Sequence, residues 1–188
     1  MAEASNPSVL VPLAQGCEEL EAITIIDLLR RAGIEVISAG LDAENVTASR
    51  CVKLIPDTDL ESALKDDYDM IVLPGGLPGA DHLDNDDRLK STLKKMANDN
   101  KYIAAICAAP KVLANAGVLA GKTATSYPGF LDDSGLSDIT LSDEAVVRDG
   151  NIITSRGPGT AMDFALELIE VLLGKDKRDE VEAGLVRS

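Results

Sequence analysis

YIAAICAAPKVLANAG, residues 102–117, is the stretch whose reading decides the fold class of this chain. The apolar run Tyr102–Ile106 has the continuous hydrophobicity of a strand buried on both faces, and Pro110 stands where a helix opens. Cys107 therefore falls on a strand-to-helix corner, with Ala105 two residues before it and Ala109 two residues after. Small flanking residues are what a nucleophile elbow requires, because the turn is too sharp for bulkier side chains. A thiol on such a corner faces the open edge of a sheet and the first turn of a helix, whose dipole favours a thiolate. The same spacing also suits a buried core cysteine.

Outward from the corner, short β-like runs alternate with helical patterns, as in a parallel sheet covered on both faces. Ser8–Leu13 reads as the first strand, with Pro12 limiting its ladder near the end. Residues 18–32 read as a helix with an acidic first turn and Gly33 as its stop. Glu35–Gly40 is the second strand, and residues 48–55 form a further strand or hairpin arm. Met70–Leu73 runs into the turn Pro74, Gly75, Gly76, and residues 87–99 form a solvent-facing helix. Residues 145–149 and Ile152–Ser155 read as a hairpin about Asp149, Gly150 and Asn151, residues that accept positive φ. Residues 160–173 form the last long amphipathic helix, stopped by Gly174, and a short polar helix follows. The expectation is one doubly wound α/β domain over residues 1–188. Such sheets bind ligands beyond the carboxyl ends of their strands. Three loops lie at that edge: residues 14–19, residues 74–79 and the Cys107 corner.

The composition, 45% hydrophobic and 27% charged, is ordinary for a globular chain, while aromatics at 3% leave Val, Ile, Leu and Ala to build the core. A formal net charge of -14 argues against nucleic acid or an anionic membrane as partner, since either would repel the chain. No apolar run is long enough to span a bilayer, and the opening residues MAEASNPS lack the basic and apolar regions of a secretory signal. Cys17, Cys51 and Cys107 are odd in number, widely spaced and free of any CxxC. A reduced cytoplasmic protein is expected, with no disulfide framework and no zinc site.

Within residues 18–32, Glu21 falls on the apolar stripe of Ile25, Leu28, Leu29 and Ala32. A carboxyl group turned to the core has its neutral form favoured, and beside a thiolate it can serve as general acid and base. Alternatively, Glu21 curls back onto its own helix N-terminus. The stretch PGGLPG, residues 74–79, can supply an oxyanion donor beside the elbow, the second coming from Ala108, or it is simply a turn. SRGPGT, residues 155–160, reads as an anion site or, more simply, a tight strand-to-helix connection. His82, the single histidine, lies in the acidic stretch ADHLDNDD, where it reads as a solvated loop rather than a cation ligand with Asp81 and Asp84. No histidine follows Cys107 to hold the thiol's proton, as a Cys-His protease needs. The acidic run 132–143 reads as a surface loop.

Four motifs in collinear order, GCEELEA (16–22), VLPGG (72–76), AAICAAP (104–110) and TSRGPGTAMDFAL (154–166), resemble the ThiJ/PfpI superfamily. Within it they look like the branch of the parkinsonism-associated deglycase (DJ-one) and its bacterial relatives. The resemblance implies a flavodoxin-like sandwich, a homodimer and no cofactor. It implies that Cys107 is the reactive, easily oxidised cysteine in a strained backbone, and that Glu21 is the carboxyl group that hydrogen-bonds it. Gly76 and Ala108 match the oxyanion donors, and Tyr127, Gly157 and Pro158 match pocket positions. Arg31 and Arg50 match arginines near the pocket and dimer interface. Ala108 stands where the protease-like branch has a histidine, which argues against peptidase activity. Tyr127, in ATSYPG, stands where the deglycase branch often has one, and a phenol is a poor base near neutral pH. Cys51 is either a second oxidation site or a structural cysteine.

The expected function is that of a cofactor-independent glyoxalase or deglycase, acting on methylglyoxal or early glycation adducts and protecting against oxidative stress. The alternatives are a redox sensor or redox-regulated chaperone working through a Cys107 sulfinic acid, and a scaffold that keeps the fold without using the site.

Overall fold

Strands β1 (Ser8–Leu13), β6 (Met70–Leu73) and β7 (Tyr102–Ile106) form the middle of the sheet, and their continuous apolar character follows from burial on both faces. In the computed structural model, which describes residues 6–132 and 138–187, alternate residues of these strands enter opposite layers. Val9, Val11, Met70, Val72, Ala104 and Ile106 join one core, while Leu10, Ile71, Leu73, Ile103 and Ala105 join the other. Helix α1 (Glu19–Arg31) belongs to the first layer with α6 (Ala161–Leu173) and α7 (Lys175–Gly184). The second layer holds α2 (Leu60–Ala63), α3 (Gly79–Asp84), α4 (Asp87–Asn98) and α5 (Pro110–Asn115).

Seven strands run in the order β10-β11-β7-β6-β1-β2-β5, with β2 at Glu35–Gly40, β5 at Thr58–Asp59, β10 at Val146–Asp149 and β11 at Ile152–Ser155. All neighbours are parallel except β10 and β11, joined through Gly150 at φ 65° as the Asp-Gly-Asn turn predicts. The expected doubly wound sheet is observed. Pro12 stands inside β1 opposite Ala39, and pairing of β1 with β6 stops at Leu10. A residue without an N–H thus sits where one ladder has already ended.

Of the two readings of residues 48–55 the hairpin arm holds: β3 (Val46–Thr47) and β4 (Lys53–Leu54) form a small hairpin whose turn carries Cys51 at φ 68°. Several expectations need correction. His82 lies on helix α3 rather than in a loop, because Leu83 and Ala80 anchor one face of ADHLDNDD in the core. Part of the acidic run 132–143, residues 133–137, lies outside the described residues. Within the remainder, β9 (Thr140–Leu141) pairs with β8 (Thr123–Ala124) instead of forming a loop. The helix after Cys107 is only six residues long, so its dipole is that of little more than one turn.

Phe164, fully buried on α6 among the side chains that join it to α1, is the largest wholly enclosed side chain. Truncating it costs about 3–5 kcal/mol. Phe164→Ala is therefore expected to lower the urea midpoint by about 1–2 M; an unchanged midpoint would show that this layer does not govern global stability.

Candidate active site

Two parallel neighbours fix the surroundings of Cys107. Strand β7 pairs with β6 up to Leu73 opposite Ala105, and with β11 up to Ser155 opposite Ile106. The loops leaving β6 and β11 therefore flank the residue that leaves β7. Cys107 N–H donates to Ser155 O at 2.9 Å, and Cys107 O accepts from Tyr127 N–H at 2.9 Å. Held this way, Cys107 adopts φ 64°, a left-handed conformation that costs a residue with a side chain about 1–3 kcal/mol. The elbow inferred from Ala105 and Ala109 is present, strain included. Cys107 is 9% exposed, so the thiol is mostly enclosed rather than open.

The β6 loop passes directly over this corner. A Cβ on Gly75 would lie 2.7 Å from Cys107 Cβ and 2.9 Å from Ala108 N, so only glycine fits. Gly76, at φ 90°, turns the chain back towards α1, where a Cβ would meet Glu18 N at 2.4 Å. The first turn of α1 grips Gly75 on both sides: Gly75 N–H donates to Glu21 Oε2 at 2.8 Å, and Glu18 N–H donates to Gly75 O at 2.9 Å. Ser49 Oγ, from the β3–β4 turn, donates to Glu18 Oε2 at 2.7 Å, and Ser49 N–H donates to Cys17 O at 2.8 Å. Gly75 and Ser155 fell within stretches the sequence marked without being singled out, and Glu18 and Ser49 were not given a part in the site. The PG doublet before Gly76 was the available signal for Gly75; the others depend on long-range approach.

Glu21 is fully buried on α1, on the face shared by Ile25, Leu28 and Leu29. It does not curl onto its own helix terminus. Its Oε1 has no hydrogen-bond partner, and the nearby Cys107 thiol is a side chain that acts on its acidity. Burial raises Glu21 to about 7, against the Gly75 N–H and the Cys107 contact, which pull it down, while the charge of Glu18 adds to the rise. Burial also raises Cys107 to about 12, and the negative charge and hydrogen bond of Glu21 add to this. The expectation of a dipole-lowered thiol is thus corrected: desolvation and a like charge outweigh one short helix. The Gly76 and Ala108 N–H groups act in the other direction, favouring charge on the sulfur.

Two groups that both resist ionisation hold a single negative charge between them above about pH 7. When Glu21 carries the proton, its repulsion of the sulfur vanishes, and Oε1–H can donate to the thiolate. Two backbone N–H groups then face the sulfur. The arrangement combines a nucleophile, a proton carrier and two fixed dipoles within one enclosed space.

The remaining expected pocket residues divide. Tyr127 and Gly157 come together, since a Cβ on Gly157 would lie 3.2 Å from the Tyr127 ring. Pro158 opens the following single turn of 3-10 helix. The SRGPGT segment satisfies itself, with Gly157 N–H on Thr160 Oγ1 at 3.1 Å and Thr160 Oγ1 2.7 Å from Ser155 Oγ, which favours a tight connection over an anion site. Arg50 lies on the β3–β4 turn, its N–H on Glu19 at 2.9 Å and its guanidinium on Ser49 O. Within its own chain Arg31 stands apart from Cys107: ten residues after Glu21, it lies about 15 Å along the helix and pairs with Asp27. Cys51 is exposed, so it is no buried structural cysteine, whereas burial raises the enclosed Cys17 to about 12. Around His82, Asp81 pairs with Lys111 and Asp84 with Asn115, and among the described residues no three His, Cys, Asp or Glu side chains gather as metal ligands.

The chain as a whole has counterparts among known proteins. The family model described as the DJ-1/PfpI family matches residues 7–171. The chain is 48% identical over 182 residues to protein dj-1beta of Drosophila melanogaster, covering 96% of this chain and 97% of that one. It is 33% identical over 181 residues to the glutathione-independent glyoxalase DJR-1.2 of Caenorhabditis elegans, covering 96% of each. The crystal structure of Drosophila melanogaster DJ-1beta superposes with a TM-score of 0.94 at 46% identity, covering 98% of this chain and 100% of that one. Oxidized Toxoplasma gondii DJ-1 superposes with a TM-score of 0.92 at 41% identity, covering 97% and 99%. With the family matched over most of its length and a relative near half identical from end to end, this chain belongs to the DJ-1/PfpI family.

Proposed function

We propose that the protein is a cofactor-independent glyoxalase or deglycase whose nucleophile is the Cys107 thiolate. The observation that carries this reading is the buried Glu21 carboxyl group beside a thiol on a left-handed corner, with the Gly76 and Ala108 N–H groups turned to the sulfur. The name of the Caenorhabditis elegans relative supports the same chemistry. In this scheme the thiolate adds to the aldehyde carbon of methylglyoxal, and protonated Glu21 delivers its proton to the new alkoxide. The resulting Glu21 carboxylate removes the hydrogen from that carbon and returns it to the neighbouring carbon as the hydroxyl proton moves between the two oxygens. The ketone is thereby reduced and the aldehyde carbon oxidised within one molecule, leaving a lactoyl thioester. Water cleaves the carbon–sulfur bond, releasing lactate and regenerating the thiol. No electron leaves the substrate, so no redox cofactor is required.

A second reading, oxidation of Cys107 to a sulfinic acid as a sensor or chaperone switch, is favoured by the same Glu21, whose Oε1 lacks an ordinary partner and could donate to a sulfinate oxygen. The oxidized Toxoplasma relative is in keeping with it. We also read the chain as a cytoplasmic homodimer. Three free cysteines suit a reducing compartment. Leu20 and Ile23 on α1 and Val52 beside the hairpin turn are about half exposed, around the contact where Arg50 meets Glu19. Such a patch suits a self-complementary interface.

Lactate release from methylglyoxal tests the main reading. Wild type is expected to turn over, with kcat/KM rising about tenfold per pH unit below about 7 and levelling above it, as the site gains its single charge. Cys107→Ala should abolish this, and Glu21→Gln should reduce kcat by about 100-fold or more. Equal rates in all three proteins would sink the reading. Dilute peroxide followed by intact mass analysis tests the second: a two-oxygen adduct that survives in Cys51→Ser and vanishes in Cys107→Ala is expected, and an adduct confined to Cys51 would refute it. Sedimentation velocity should find a dimer in the wild type and a monomer in Ile23→Glu; a monomeric wild type removes the dimer.

A further inference from the structure

The chain has three tyrosines and two phenylalanines, and two of these five rings stand together on the loop whose backbone joins the Cys107 corner. Tyr127 and Phe130 meet edge to face, with centroids 6.2 Å apart at 75°. Tyr127 is fixed at three points: its N–H bonds Cys107 O, its ring lies on the bare backbone of Gly157, and Phe130 closes its edge. Phe130 is held in turn by the Lys111 ammonium, 5.5 Å from its centroid, which pairs with Asp81. Although anchored, Tyr127 remains 49% exposed. Leu77, also 49% exposed, follows Gly76 on the β6 side, whereas Tyr127 stands on the β11 side. The two loops that border Cys107 thus each carry a half-exposed hydrophobic side chain, one apolar and one aromatic.

Charge is arranged differently. The guanidiniums on the flanking loops are engaged, Arg50 with Ser49 O and Arg156 with Asp143 at 2.8 Å. A fixed ring with one face uncovered offers contact area at small entropic cost, as in preorganised binding surfaces.

We infer that the mouth of the Cys107 site receives the apolar or aromatic substituent of an α-oxoaldehyde, with Tyr127 as the residue that sets this preference. The inference rests on the carbonyl chemistry proposed above and narrows its substrate class from small dicarbonyls in general to those bearing a ring or alkyl chain. The reaction balances as before: phenylglyoxal and water give mandelate, with the hydrogen moving between adjacent carbons and the thiol restored.

The test compares kcat/KM for phenylglyoxal and methylglyoxal in wild type, Tyr127→Ala, Tyr127→Phe and Leu77→Ala. Wild type should favour phenylglyoxal, chiefly through a lower KM. Tyr127→Ala should reduce the phenylglyoxal-to-methylglyoxal ratio about fivefold, the scale of one aromatic contact, whereas Tyr127→Phe should keep it within about twofold, since the ring and not the hydroxyl makes that contact. Leu77→Ala should lower the ratio in the same direction. An unchanged ratio in Tyr127→Ala would overturn the inference while leaving the carbonyl reading intact. Equal losses for both substrates in Tyr127→Phe would also overturn it, by assigning the hydroxyl a chemical role. Absence of turnover of either aldehyde by wild type would remove the carbonyl reading and this inference together.

Discussion

The grip of α1 on Gly75 is the constraint on which the site depends. One peptide neighbourhood, 2.8 Å from Glu21 Oε2 through its N–H and 2.9 Å from Glu18 N–H through its carbonyl, ties a helix in one layer to a loop leaving the middle of the sheet. Because Gly75 also lies against Cys107 Cβ, the same grip sets the height of the loop above the nucleophile. The Gly75 N–H supplies the one hydrogen bond of the buried Glu21 carboxyl group, and the loop can run so close only because Gly75 has no side chain. Remove either condition and the others lose their reason: an unpaired buried carboxyl group, a loop without an anchor, a cysteine without its cover.

This arrangement differs in kind from a thiol paired with an imidazole. In a Cys–His centre, one partner becomes positive as the other becomes negative, so the pair ionises readily. Here both partners can carry only negative charge, burial penalises each, and each discourages the other. The site consequently stores a proton within reach of the sulfur. A proton kept at that position is useful to a reaction that must neutralise an alkoxide and then move a hydrogen between adjacent carbons. It is equally suited to a sulfur that gains oxygen atoms, which can accept it.

The sequence made the sheet legible wherever strands are buried on both faces, because an unbroken apolar run such as IVL or YIAAI has few other homes. It also marked the cysteine corner, through two alanines, and the carboxyl partner, through an acidic residue on an apolar stripe. Two-residue strands were not legible: Val46–Thr47, Thr58–Asp59 and Thr123–Ala124 are too short for a period to develop. Helix α3 was hidden by its charge, although Ala80 and Leu83 face the core. The failure over the thiol's acidity had another origin. Reading one helix dipole from Pro110 onward gave a sign for the electrostatics, but desolvation depends on what the rest of the chain packs around the sulfur, and no local stretch encodes that.

The buried carboxyl group also writes itself into the thermodynamics of the whole molecule. Burial raises Glu21 from 4.5 to about 7, so the folded chain binds a proton that the unfolded chain releases. Its stabilising contribution is complete below pH 4.5 and is lost as pH climbs to about 7, roughly 3 kcal/mol over that span. Surface carboxylates slope the other way. Asp69, lowered first by the Ser8 N–H and, against some burial, by Lys101, and Asp149, lowered first by the Thr123 N–H, add stability that fades as acid protonates them. At these groups folding is accompanied by proton uptake near neutrality and by proton release in stronger acid.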